Sequence, residues 1–99
     1  MDTPQLQQIV ISALEDIKAR DIETIDTSKV TALFDAIVVA SAESGRQTRA
    51  LARNVVDKVK EAGGEVISVE GEDSGEWVLV DLGSIVVHIM QPAVRAYYK

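Results

Sequence analysis

Few side chains in this sequence are equipped for chemistry. It has one histidine, His88, one tryptophan, Trp77, and no cysteine, which removes thiolate nucleophiles, thiolate metal sites and disulfides. Asp21 and Glu23 have the D-x-E spacing by which a strand can offer two carboxylates to the metal ions of a phosphoryl- or nucleotidyl-transferring enzyme. They fall on a presumed edge strand, however, with no glycine loop to cradle a phosphate. Asp35 is the lone acid of the following apolar strand, and Ser41-Ala42-Glu43-Ser44-Gly45 reads as a helix cap rather than a phosphate turn. There is no G-x-S-x-G and no P-loop. These residues predict a chain that is not an enzyme and holds neither cofactor nor metal.

The remaining polar clusters favour recognition over catalysis. Glu70, Glu72, Asp73 and Glu76 lie in and around a loop with Gly71 and Gly75, without the D-x-[DN]-x-[DN]-G spacing of a calcium loop. Such a run is a solvated acidic loop whose charge can also meet a basic partner. Arg46, Arg49 and Arg53 recur at helical spacing and read as a solvated stripe offsetting nearby acids. A lone imidazole on an apolar strand is more often a hydrogen-bonded residue than a general base, so His88 is assigned to recognition. Trp77 is read evenly as a core residue or as the aromatic anchor of a binding patch.

The elements that must position these residues follow from the apolar pattern. Thr3 can cap a first helix with Pro4 in its first turn, and Leu6, Ile9, Val10, Ala13, Leu14 and Ile17 recur at three- and four-residue spacing up to about Arg20. Asp21 to Thr27 is a polar edge strand. Phe34 to Ala40 has no alternation and reads as a central strand buried on both faces. A second helix follows, with Ser44 and Gln47 at capping-box spacing, a stripe of Leu51, Ala52, Val55, Val59 and Ala62, and a stop at Gly63-Gly64. Val66 to Glu70 is then expected beside Phe34–Ala40 as a right-handed parallel crossover.

Two further apolar runs make an antiparallel hairpin. A turn at Leu82-Gly83 pairs Asp81 with Ser84, Leu79 with Val86 and Trp77 with His88. Alternation then gathers Trp77, Leu79, Val86, His88 and Met90 on one face and the β-branched Val78, Val80, Ile85, Val87 and Ile89 on the other. Pro92 restarts a helix from which Val94, Tyr97 and Tyr98 can pack back on the sheet. The fold class is α/β of the α+β type, in the order αββαβββα, a mixed sheet with its helices mainly on one face. No repeat, low-complexity run or linker divides residues 1–99, so a single domain is expected.

Charge and hydropathy narrow the setting. Sixteen acidic residues against ten basic give a net charge of −6, which disfavours DNA and other free nucleic acid, where affinity rests on neutralising phosphates. Acidity of this size also serves plain solubility. The longest apolar run is Ala36–Ala40 and the N-terminus, MDTPQLQQ, has neither a basic nor an apolar leader region. The expectation is a cytoplasmic protein with no membrane partner.

The stretch VEGEDSGEWVLVDLGSIVVHIMQ, taken with the upstream LFDAIVVASAESGRQTRALARNVV, resembles the Iojap-like ribosomal silencing factors. The likeness runs from about Leu6 to Tyr98 and is carried by Glu70, Gly71, Ser74, Trp77, Asp81, Gly83, Val87, His88 and Met90. Family members usually continue past the tyrosine pair with another helical turn or two, where this sequence reaches Lys99. The resemblance implies a nucleotidyltransferase-like architecture without its chemistry. It also implies a partner, the fourteenth ribosomal protein of the large subunit, bound on the side that faces the small subunit so that joining is blocked when nutrients fail. Trp77, His88, Met90, Glu70, Glu72, Asp73 and Glu76 are then the candidate contacts, with a lesser ribosomal RNA contact through the arginine stripe and with the sheet face open to self-association when free. A large-subunit assembly factor using the same surface, and more remotely a nucleotide-binding enzyme, are the alternatives.

Overall fold

The computed structural model describes residues Met1 to Tyr97. Its elements run α1 (Thr3–Asp16), β1 (Arg20–Asp26), β2 (Ala36–Ser41), α2 (Gly45–Glu61), β3 (Ser68–Glu70), β4 (Trp77–Asp81), β5 (Ile85–Met90) and α3 (Pro92–Tyr97), the order expected from the pattern. The five strands form one mixed sheet in the order β1-β2-β5-β4-β3. Helices α1 and α2 pack on each other and on one face of it.

Each helix end has a local cause. Asp2, rather than Thr3, caps α1: its carboxylate accepts from the Gln5 amide while the Gln5 side chain accepts from the Asp2 amide, a reciprocal pair that satisfies two otherwise orphaned donors. The helix stops at Asp16, short of Arg20, because Lys18 turns into positive φ (62°). Ser44 caps α2 by accepting from the Gln47 amide. The Gln47 side chain accepts from the Glu43 amide and donates to the carbonyls of Ile17 and Lys18, so one glutamine joins the start of α2 to the end of α1. The buried stripe of α2 is Thr48, Leu51, Ala52, Val55 and Val59, with Ala62 exposed at the end.

The sheet departs from expectation in two places. β3 points along β2 but lies on the far edge, and it is β5 that pairs with β2 in parallel, Val38 against Val87 and Val39 against His88. The reason is apolar content: β5 offers Ile85, Val87 and Ile89 to the core, all fully buried, whereas the three-residue β3 carries Ser68 and Glu70 and suits an edge. The hairpin register is also two residues from the expected one, pairing Asp81 with Val86, Leu79 with His88 and Trp77 with Met90. Its two-residue turn is Gly83-Ser84, closed by the Leu82 amide donating to the Ile85 carbonyl. Gly83 has φ +88°, as the first central position of a primed hairpin turn demands, and Leu82 is buried rather than at the tip.

A shift of two preserves side-chain parity. Val78, Val80, Ile85, Val87 and Ile89 therefore still face α1 and α2, joined by Val38, Ala36 and Ala40 of β2. Each such valine or isoleucine contributes roughly 1.5–3 kcal/mol on burial. β2 itself is not buried on both faces: Ile37 and Val39 point away from the helices and are only half-buried.

Candidate recognition face

Register defines what stands on the face away from α1 and α2. Across the sheet it carries Glu23 and Ile25 of β1, Ile37, Val39 and Ser41 of β2, Val86, His88 and Met90 of β5, Trp77, Leu79 and Asp81 of β4, and Ser68 and Glu70 of β3. The centre of this face is apolar and half-buried, in Val39, Leu79, Val86 and Trp77. Sequence reading alone missed the contribution of β2, because an unbroken run of apolar residues looks the same whether its second face meets a helix or nothing.

Trp77 and His88 are diagonal neighbours, within the reach of long side chains across a strand pair. The indole Nε1–H donates to His88 Nδ1 at 3.0 Å, with ring centroids 5.8 Å apart and tilted by 43°. Burial holds the His88 pKa below its ordinary 6.5, because desolvation penalises the charged form. Met90 sits directly opposite Trp77 and is nearly buried. Trp77, His88, Met90 and Glu70 thus come together on one face.

The other acidic candidates are placed differently. Glu72, Asp73 and Glu76 are exposed on a loop tied to the covered side of the sheet. Thr48 Oγ1 donates to the Gly75 carbonyl at 2.7 Å, Arg49 donates to the carbonyls of Glu72 and Asp73 at 2.7 and 3.1 Å, and Gln91 donates to Gly75 at 3.1 Å. Arg49 is therefore a loop clamp as well as part of the exposed arginine stripe with Arg46 and Arg53. At Gly71, φ is +88° and a Cβ would collide with the Trp77 carbonyl oxygen. The loop is folded against the first residue of β4 and so sets where Trp77 begins.

Helix α3 closes one end of the same face. Arg95 donates to Ser41 Oγ at 2.7 Å and pairs with Glu23 at 3.1 Å, leaving a cleft of ≈ 880 Å³ lined by Arg20, Glu23, Val39, Ser41, Met90 and Arg95 among others. Its two arginines are each matched by a carboxylate, Arg20 with Glu43 at 3.0 Å and Arg95 with Glu23, so among the described residues the cleft offers no uncompensated cation to a phosphate. Asp21 lies in a bulge at φ 50°, which breaks the alternation that would have set Asp21 beside Glu23. Asp35 accepts from Thr3 Oγ1 at 2.9 Å and ties α1 to the start of β2. Among the described residues no three His, Asp or Glu side chains are grouped to hold a metal ion, and no helix is long and apolar enough to cross a membrane. Val94 is half-buried, Tyr97 is exposed, and Tyr98 lies outside the described residues.

The sheet is thus covered on one side by α1 and α2 and carries an aromatic–imidazole pair on the other. Residues 1–99 match the family described as ribosomal silencing factor during starvation, and the chain belongs to that family, which is named for regulation and not for catalysis. A ribosomal silencing factor from Chromobacterium violaceum is 53% identical over 98 residues, spanning 99% of this chain and 80% of that protein. A crystal structure of a protein from the same organism superposes with a TM-score of 0.97, at 53% identity and covering 99% of this chain and 82% of that one. A mouse protein named for mitochondrial assembly of the ribosomal large subunit is 31% identical over 94 residues, spanning 92% of this chain and 41% of that protein.

Proposed function

We propose that this chain silences ribosomes by binding the large subunit through the open sheet face, with its fourteenth ribosomal protein as the contact, and sterically blocks joining of the small subunit when nutrients are limiting. The observation that carries the reading is the placement of Trp77, Leu79, Val86, His88 and Met90 on the sheet face that neither α1 nor α2 covers. A half-buried aromatic in such a patch is the usual energetic anchor of a protein interface. Net charge −6, with the exposed Glu70 on the open face and the exposed Glu72, Asp73 and Glu76 on the adjoining loop, favours a basic protein, with the acids steering its approach. The reaction is steric and takes place in the cytoplasm. Addition of the chain to purified subunits should leave them unjoined in sucrose gradients, and Trp77→Ala should restore joining; unimpeded joining with the unaltered chain refutes the proposal.

The name of the mouse relative favours a second reading, in which the same face serves large-subunit assembly. Cells lacking the chain should then accumulate precursor particles. Silencing instead predicts mature subunits that join too readily in starved cells.

A further inference from the structure

The hydrogen bond between the only tryptophan and the only histidine has a direction, and the direction has a consequence for recognition. An indole N–H is a donor only, so the imidazole nitrogen it reaches must carry a lone pair. That nitrogen is Nδ1, at 3.0 Å. Neutral imidazole has one proton, so it resides on Nε2. Among the described residues the His88 side chain makes no other hydrogen bond and no buried side-chain nitrogen or oxygen is left without a partner, so Nε2 reaches solvent. The neighbours directly across the sheet from His88 are Leu79 and Val39, whose side chains supply no acceptor.

We propose that Trp77 locks His88 as the Nε2–H tautomer, so that the open face presents one oriented hydrogen-bond donor to an oxygen acceptor of its protein partner, and that protonation of His88 releases the indole and unlocks the pair. Its recognition half rests on the open face being the partner surface; the tautomer and its release do not. A doubly protonated imidazole has no lone pair at Nδ1, so Nε1–H of Trp77 loses that acceptor on protonation. Charged groups on the same face are Glu70 on β3, Asp81 on β4, Glu23 on β1 and Arg95 on α3, the last two paired with each other; Tyr97 is the titratable phenol of α3. His88 is the one histidine in the chain, and histidine is the side chain whose ordinary pKa lies between pH 5 and 8. The lock separates two tasks: a basic partner's cations are met by the acids, and one of its oxygens by His88.

Because the chain has one histidine and one tryptophan, their NMR signals need no assignment. Long-range ¹H–¹⁵N spectra of the free chain at neutral pH should show a protonated Nε2 and a bare Nδ1; an Nδ1–H tautomer, or rapid averaging of the two, overturns the lock. Trp77→Phe keeps an aromatic ring but removes the donor, and should average the tautomers and raise the His88 pKa, since a bond that favours the neutral form is lost; an unchanged titration also overturns it. The indole N–H resonance should move with the His88 midpoint, and an indole indifferent to that midpoint overturns the release. For the partner, salt-washed large ribosomal subunits are the probe. His88→Leu should bind roughly tenfold more weakly, the equivalent of about one hydrogen bond, and His88→Gln, whose amide still donates, should bind more tightly than the leucine variant. Equal affinities of all three overturn the donor role. Failure of the unaltered chain to bind subunits overturns the functional reading and the donor role together, while the spectra decide the tautomer independently.

Discussion

The two faces of this sheet are built from the same strands and much the same side chains, yet only one is closed. Val78, Val80, Ile85, Val87 and Ile89 are fully buried beneath α1 and α2, while their neighbours Trp77, Leu79, Val86 and His88 remain half-buried. The centre of the covered face, on β4 and β5, is uniformly β-branched and apolar. The open face mixes an indole, an imidazole, a thioether and flanking carboxylates. A surface kept for stability is chemically monotonous because packing rewards volume and shape; a surface kept for recognition needs anchors and direction. The difference between the two faces is set within a single residue step along each strand.

The contrast breaks most visibly on the covered face. Ile89→Ala removes a fully buried side chain from the centre of the sheet and should cost about 2–5 kcal/mol, a large part of the stability of a domain this size. A chemical denaturation curve checks it, and a loss below 1 kcal/mol would mean the core closes around the gap. Gly71→Ala tests the joint between the faces. Positive φ and the Trp77 carbonyl together exclude a Cβ, and the expected loss is about 2–3 kcal/mol, with a changed tryptophan emission because β4 begins there.

Much of this contrast is legible in the sequence because alternation is local. The division of β4 and β5 into a β-branched set and a Trp77–His88–Met90 set survives an error of two residues in hairpin register, since parity alone decides the face. What fails is whatever depends on distant partners. The place of β3 at the edge reflects competition with β5 for the space beside β2, and Ile37-Val38-Val39 does not reveal that one of its faces has no helix. The clamp by Thr48 and Arg49 is equally hidden, because their acceptors are carbonyls 23 to 27 residues away and a carbonyl has no signature in sequence. Asp21 misleads for a related reason: a bulge cancels the alternation on which its spacing with Glu23 was read.

On the open face the balance reverses. Trp77→Ala leaves α1, α2 and the β-branched layer untouched, so the melting transition should stay cooperative with a loss of about 1–2 kcal/mol from partial burial. Affinity for large ribosomal subunits should fall by about 2 kcal/mol or more, as for an anchor aromatic. A melting curve beside a binding isotherm separates the two. If stability collapses and affinity per folded molecule is unchanged, Trp77 belongs with the core.

The smallest effect is the pH dependence that His88 adds to folding. Its pKa is lowered in the folded chain by desolvation, so between that lowered value and about 6.5 the unfolded chain binds a proton that the folded chain does not. Stability therefore rises with pH across this window. The contribution is whole above pH 6.5 and is lost as pH falls through the folded value. Asp26, whose carboxyl is held below 3.8 by the side-chain and backbone hydrogen bonds of Ser28, acts in the same direction but in a separate, more acidic window, so it does not confuse the measurement. Denaturation of the chain and of His88→Gln at pH 7 and at pH 5 should show a shallow fall in the first that is reduced in the second. Equal falls would place the acid sensitivity in the carboxylates and remove His88 from the energetics of the open face.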